Sequence, residues 1–170
     1  MFNCLLIFQS QLFLGPLISR LSSKKIITQF VIFTSFYILV SCIFHFISKV
    51  IPNPIILKND IEFSSLREKI FLVVLFAPLI ETLFFQFFII ELISALLPKR
   101  IFFACLISSA VFSLNHLFSI LYVILTFFAG FILAIAFFSS RKGWRGFMLV
   151  FCIHAFYNCF VLIINDLITH

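Results

Sequence analysis

Four residues of this sequence could do chemistry together: Glu81, His116, His154 and Asn158. Each lies in an apolar stretch, where a charge at the centre of a membrane span costs roughly 2.5–3.5 kcal/mol. Residues 76–91 read FAPLIETLFFQFFIIE, so Glu81 is surrounded by phenylalanine, leucine and isoleucine. A carboxylate held in low dielectric is a stronger base than one in water. An imidazole beside it can share or relay a proton. A second imidazole and an amide can donate hydrogen bonds to an oxyanion. No activated serine or cysteine accompanies these groups, which favours water as the nucleophile. A proton-coupled transporter could use the same set, so the chemistry alone leaves hydrolase and transporter both open.

The elements that must position these residues are membrane helices. The chain has 170 residues, 64% hydrophobic and 11% charged, with a mean hydropathy of +1.26. A soluble domain carries about 25% charge. Apolar runs of about 20 residues read as spans, and they fall at 26–50, 70–97, 101–118, 121–139 and 147–168. The expected fold is an all-α polytopic bundle of five clear transmembrane helices plus an N-terminal sixth. Residues 1–19 form that weak sixth span or an interfacial helix, broken by QSQ and by Gly15–Pro16 and not read as a cleaved signal. The chain divides at 69: residues 1–69 hold the N-terminal segment, one span and a connection, and residues 70–170 the membrane core that carries Glu81, His116, His154 and Asn158. The connection 51–69 opens with PNP and ends with Ser65-x-x-Glu68, a capping box that starts a helix at Leu66.

Alternate connections carry the basic residues. Arg20, Lys24, Lys25, Lys99, Arg100, Arg141, Lys142 and Arg145 mark one side as cytoplasmic, while Lys49, Lys58, Arg67 and Lys69 are diluted by Asp60, Glu62 and Glu68. The net charge of +6 is therefore topology and not a nucleic-acid footprint. The other intramembrane polar residues read as structural. His45 can reach the interface, Glu91 can reach toward Lys99 or Arg100, and Asn115 faces away from its neighbour His116. The cysteines Cys4, Cys42, Cys105, Cys152 and Cys159 read as small buried hydrophobes.

Depth brings the chemical set to one layer. At about 1.5 Å per residue, Glu81 lies about 24 Å along its helix from Leu97, and His116 lies about 22 Å from Ile101. Asn158 lies about one turn away, and as the i+4 partner of His154 it shares a helix face with it. Ser109, Ser113 and the pair Gly130-x-x-x-Ala134 let the helices approach closely.

These residues carry a family resemblance. ETLFFQ at 81–86, FSLNH at 112–116 and HAFYN at 154–158 fall in order on three apolar segments, with APLI before the first. The chain resembles the CAAX-protease and bacteriocin-processing (CPBP, or Abi) family of intramembrane endopeptidases. Its pattern is E-E-x-x-x-R, F-x-x-x-H and H-x-x-x-N on successive membrane helices. The match covers roughly residues 70–165. It implies that Glu81 activates a water, that His116 helps hold and deprotonate it, and that His154 and Asn158 form an oxyanion hole. It also implies a peptide or protein substrate at the bilayer of a bacterial plasma membrane. A catalytically inactive relative serving bacteriocin immunity or membrane binding is the other reading. Oligomeric state is not legible.

Two positions depart from the pattern. The family's second glutamate is Thr82 here and its arginine is Gln86. A neutral hydrogen bond from Thr82 to Gln86 at i, i+4 is expected to replace the buried ion pair, with Phe112 as further structural support. The family is often labelled metalloprotease. Glu81, His116 and His154 are of types that bind zinc, yet asparagine is a poor ligand and no H-E-x-x-H occurs, so glutamate-activated water without metal is expected.

Overall fold

In the computed structural model, the described residues are 14–50, 63, 65–98, 100–140 and 142–169, the last four by backbone alone. Most of the expected N-terminal segment, including Cys4, and most of the connection after Val50 lie outside them, as do Lys99 and Arg141. Every regular element described is a helix. A first helix, α1, covers residues 14–22. The side-chain amide of the buried Gln29 donates to the carbonyls of Leu21 and Lys24, both at 3.1 Å. It thereby adds a second hydrogen to the Leu21 carbonyl, which also accepts from the Lys24 N–H at 3.0 Å, and ties α1 to the next helix.

Helix α2 runs from Ile26 to Val50. Its outward residues Ile27, Val31, Phe36 and Phe46 are more than half exposed, which suits a lipid solvent and not water. Helix α3, Leu66–Leu96, starts at the expected cap: the Glu68 N–H donates to Ser65 Oγ at 3.2 Å. Helix α4 covers Ile101–Leu114. Helix α5, Ile120–Ser139, is capped by Ser119 Oγ, which accepts from the Tyr122 N–H at 3.1 Å. Helix α6 covers Gly143–Thr169. Lys142 and Gly143 both have φ near +57° and turn the chain into α6. The Gly143 N–H there donates to Glu91 Oε1 at 3.2 Å. Glu91 is thus a cap for α6.

Among the described residues, four helices are long and apolar enough to cross a membrane: α2, α3, α5 and α6. The chain is an integral membrane protein of helical-bundle class, and the span expected at 101–118 is a shorter apolar helix, Ile101–Leu114. Helix α4 has only 14 residues, about 21 Å at 1.5 Å per residue. It stops because Asn115 turns and Ser119 begins a new helix, although hydrophobic residues continue through the break.

Helix α5 is the hub, packed on α2, α4 and α6. Ala129, Leu133, Ala134, Ala136 and Phe137 are fully buried along it. The close approach expected at Gly130 is present: a Cβ there would lie 2.9 Å from the Phe112 ring and 3.2 Å from Ser109 Cα. The cysteines differ from expectation. Cys105 is buried, but Cys42 and Cys152 face outward, where a thiol is tolerated by lipid as readily as by a core.

Candidate active site

The carboxylate is held by an irregular helix. Glu81 follows one π-type stretch of α3, Phe71–Phe76, and precedes another, Thr82–Phe88. In each the backbone bond reaches back five residues: the Ala77 N–H donates to Leu72 and the Ile89 N–H to Phe84. Such a bulge denies a carbonyl its usual i+4 donor. Side chains from neighbouring helices supply the missing hydrogens. Asn158 Nδ2 donates to the Val73 carbonyl at 2.8 Å, and Ser108 Oγ donates to the Phe85 carbonyl at 2.8 Å. Helices α6 and α4 therefore grip α3 on the two sides of Glu81.

Those same helices bring the imidazoles. Glu81 Oε2 lies 3.6 Å from His116 Nε2 and 3.6 Å from His154 Nε2. A direct hydrogen bond spans about 2.7–3.2 Å, so the three groups border a space that a water can bridge. The carboxylate side chain is 17% exposed, that of His116 12% and that of His154 4%. The first two groups are reachable, and the third forms the closed wall.

The helix break at Asn115 now has a purpose: it aims His116. The His116 N–H bonds the Ser113 carbonyl at 3.0 Å, and Nδ1 lies 2.7 Å from the Phe112 carbonyl. A carbonyl only accepts, so Nδ1 carries a hydrogen and Nε2 is the nitrogen that faces Glu81, with a lone pair when the ring is neutral. Phe112 also packs its ring 4.5 Å from that of His116 and 5.8 Å from that of His154, which makes it a support for both. On His154, Nδ1 is buried without a partner. A hydrogen on Nε2 faces the carboxylate, whereas one on Nδ1 would be an unpaired buried donor, so the Nε2–H form is favoured.

A family model described as type II CAAX prenyl endopeptidase Rce1-like matches residues 64–160, more than half of the chain. The chain belongs to this Rce1-like family. No curated protein and no solved structure matches it. The matched stretch contains all three motif segments, and the Rce1-like assignment places the chain in a family of proteases.

One expectation within the Rce1-like motifs fails. Thr82 and Gln86 do not bond each other: Thr82 Oγ1 and both polar atoms of Gln86 are buried without a partner. The reason is local. Thr82–Phe88 is a π stretch, so the α-helical i, i+4 register that would join them is not kept. The sequence reading also passed over three tyrosines. Tyr37 stacks on Tyr157 with ring centroids 4.0 Å apart and stands 6.4 Å from the His154 ring, and Tyr122 stands 5.9 Å from the His116 ring. Tyr157 Oη and Ser41 Oγ share a hydrogen bond of 2.6 Å. With Ser119 and His45, the last two tyrosines line a cavity of about 260 Å³ beside the site. Tyr157 lies inside the HAFYN segment, the one signal that could have drawn attention to it. Among the described residues, no three His, Cys, Asp or Glu side chains are disposed to hold a metal ion.

Proposed function

We propose that the protein is an intramembrane endopeptidase in which Glu81 activates a water for attack on a peptide bond. The observation that carries the reading is one carboxylate oxygen facing two imidazole nitrogens at 3.6 Å each. Glu81 takes a proton from the bridging water as the oxygen attacks the carbonyl carbon. His116 holds that water through its Nε2 lone pair, then takes the proton from Glu81 at Nε2 and delivers it to the leaving amine, which returns both groups to their starting states. The oxyanion accepts a hydrogen bond from His154 Nε2–H. The carbonyl π electrons move to oxygen, then return as the C–N bond breaks, leaving a carboxylic acid and an amine. The cavity lined by Ser41, Tyr122 and Tyr157 offers hydroxyls to the polar backbone of a membrane-associated peptide or protein.

The test is hydrolysis by purified protein in lipid, with peptides of the CAAX-terminal type and a mixed library, run in ¹⁸O-labelled water. One labelled oxygen is expected in the new carboxyl group after a single turnover. Product that needs an added nucleophile, or intact peptide throughout, would refute the reading.

A further inference from the structure

Asn158 does something the motif pattern does not ask of it. The resemblance makes it an oxyanion donor, but its Nδ2 donates to the Val73 carbonyl at 2.8 Å. That carbonyl needs an outside donor for a reason written into α3. Its i+4 residue, Ala77, donates to Leu72 instead. Its i+5 residue is Pro78, whose ring nitrogen has no hydrogen. Both intrahelical donors are therefore lost three to four residues before Glu81. An orphaned backbone acceptor inside a membrane is costly, and no backbone group of α6 can supply the hydrogen, because helical N–H groups are already used. One of the two amide hydrogens of Asn158 is therefore committed to the backbone of α3.

We propose that Asn158 is a positioning residue that replaces the hydrogen bond Pro78 cannot make, and so fixes where α3 presents Glu81 to the imidazoles. This rests on Glu81 being the base. His154, one turn earlier on the same face of α6, meets the carboxylate. The two contacts lock α3 in register with α6 at points eight residues apart, about 12 Å along the helix.

The experiment is a double-variant cycle of Asn158→Ala and Pro78→Ala, read by cleavage and by melting in the same lipid micelles. Alanine at 78 restores a backbone N–H where the π register already points it at Val73. Asn158→Ala alone is expected to lower kcat about tenfold with KM little changed, and to lower Tm by about 5 °C. In the Pro78→Ala background the same change is expected to cost less than about twofold in kcat, a small fraction of a tenfold effect. An equal loss from Asn158→Ala in both backgrounds, in rate and in melting, overturns the proposal and returns Asn158 to the oxyanion. If Asn158→Ala fails to fold alone, folding of the double variant supports the link and failure of both overturns it. Should the wild type cleave nothing, the protease reading falls, while the melting cycle still decides the link.

Discussion

Replacing Gly130 by alanine should damage catalysis out of proportion to its size. An added Cβ would sit 2.9 Å from Phe112 Cδ1, 3.2 Å from Ser109 Cα and 3.4 Å from Phe112 Cβ. Carbon atoms pack at about 3.5–4.0 Å, so the Phe112 ring must move by about 0.6 Å and the α4 backbone at Ser109 by about 0.3 Å or more. One of the crowding atoms is backbone, which cannot rotate away. Overpacking of this kind costs about 1–3 kcal/mol, a fall in Tm of about 3–10 °C for a chain of this size. The larger effect is on the site. The Phe112 carbonyl holds His116 Nδ1 at 2.7 Å, so displacing Phe112 displaces the imidazole from Glu81. Misplacement by about 1 Å can cost on the order of a hundredfold, and about half of that shift should cost on the order of tenfold. The assay is cleavage per folded molecule, with folding measured by melting in micelles. Gly15→Ala is the control, because a Cβ there meets nothing within 4 Å. Wild-type turnover by a folded Gly130→Ala protein would show that α4 does not position His116.

Two further substitutions probe the scaffold. Gln86→Met keeps volume and removes two buried polar atoms that have no partner, so Tm should rise by a few degrees, about 1–3 kcal/mol being lost to such groups; a fall in Tm would mean the amide is satisfied in the membrane. Ser65→Ala deletes the cap that accepts the Glu68 N–H, worth about 0.5–2 kcal/mol, and should lower Tm slightly without changing the cleavage rate. A loss of cleavage with unchanged melting would place Ser65 in the site and contradict its role as a cap.

The candidate site was legible in the sequence because expensive residues advertise themselves in apolar surroundings. Glu81, His116 and His154 were found by cost and by depth, and the structure brings them together. Ser65-x-x-Glu68 marked the start of α3 for an equally local reason. The break after Leu114 was not legible, because LFSI after His116 is as hydrophobic as the helix before it; only Ser119 hinted at a new cap. The π stretches around Glu81 were hidden for a different reason. Their cost is offset by Asn158 and Ser108, side chains far away in sequence, so no local pattern announces them. The Thr82–Gln86 bond failed for the same cause, since α-helical spacing was assumed where the register is π. The tyrosines escaped notice because aromatic residues are everywhere in this chain, and two that line a cavity and one that packs beside His154 look like the many that face lipid.

The central claim is that Glu81 is the base. It is tested most directly by turnover of a membrane-embedded peptide by purified Glu81→Gln protein. The variant keeps the shape of the side chain and loses its basicity. A folded variant slowed by about 10²–10⁴-fold, the usual contribution of a general base, is the expected result. Cleavage at the wild-type rate would contradict the account, whatever the distances between the carboxylate and the two imidazoles.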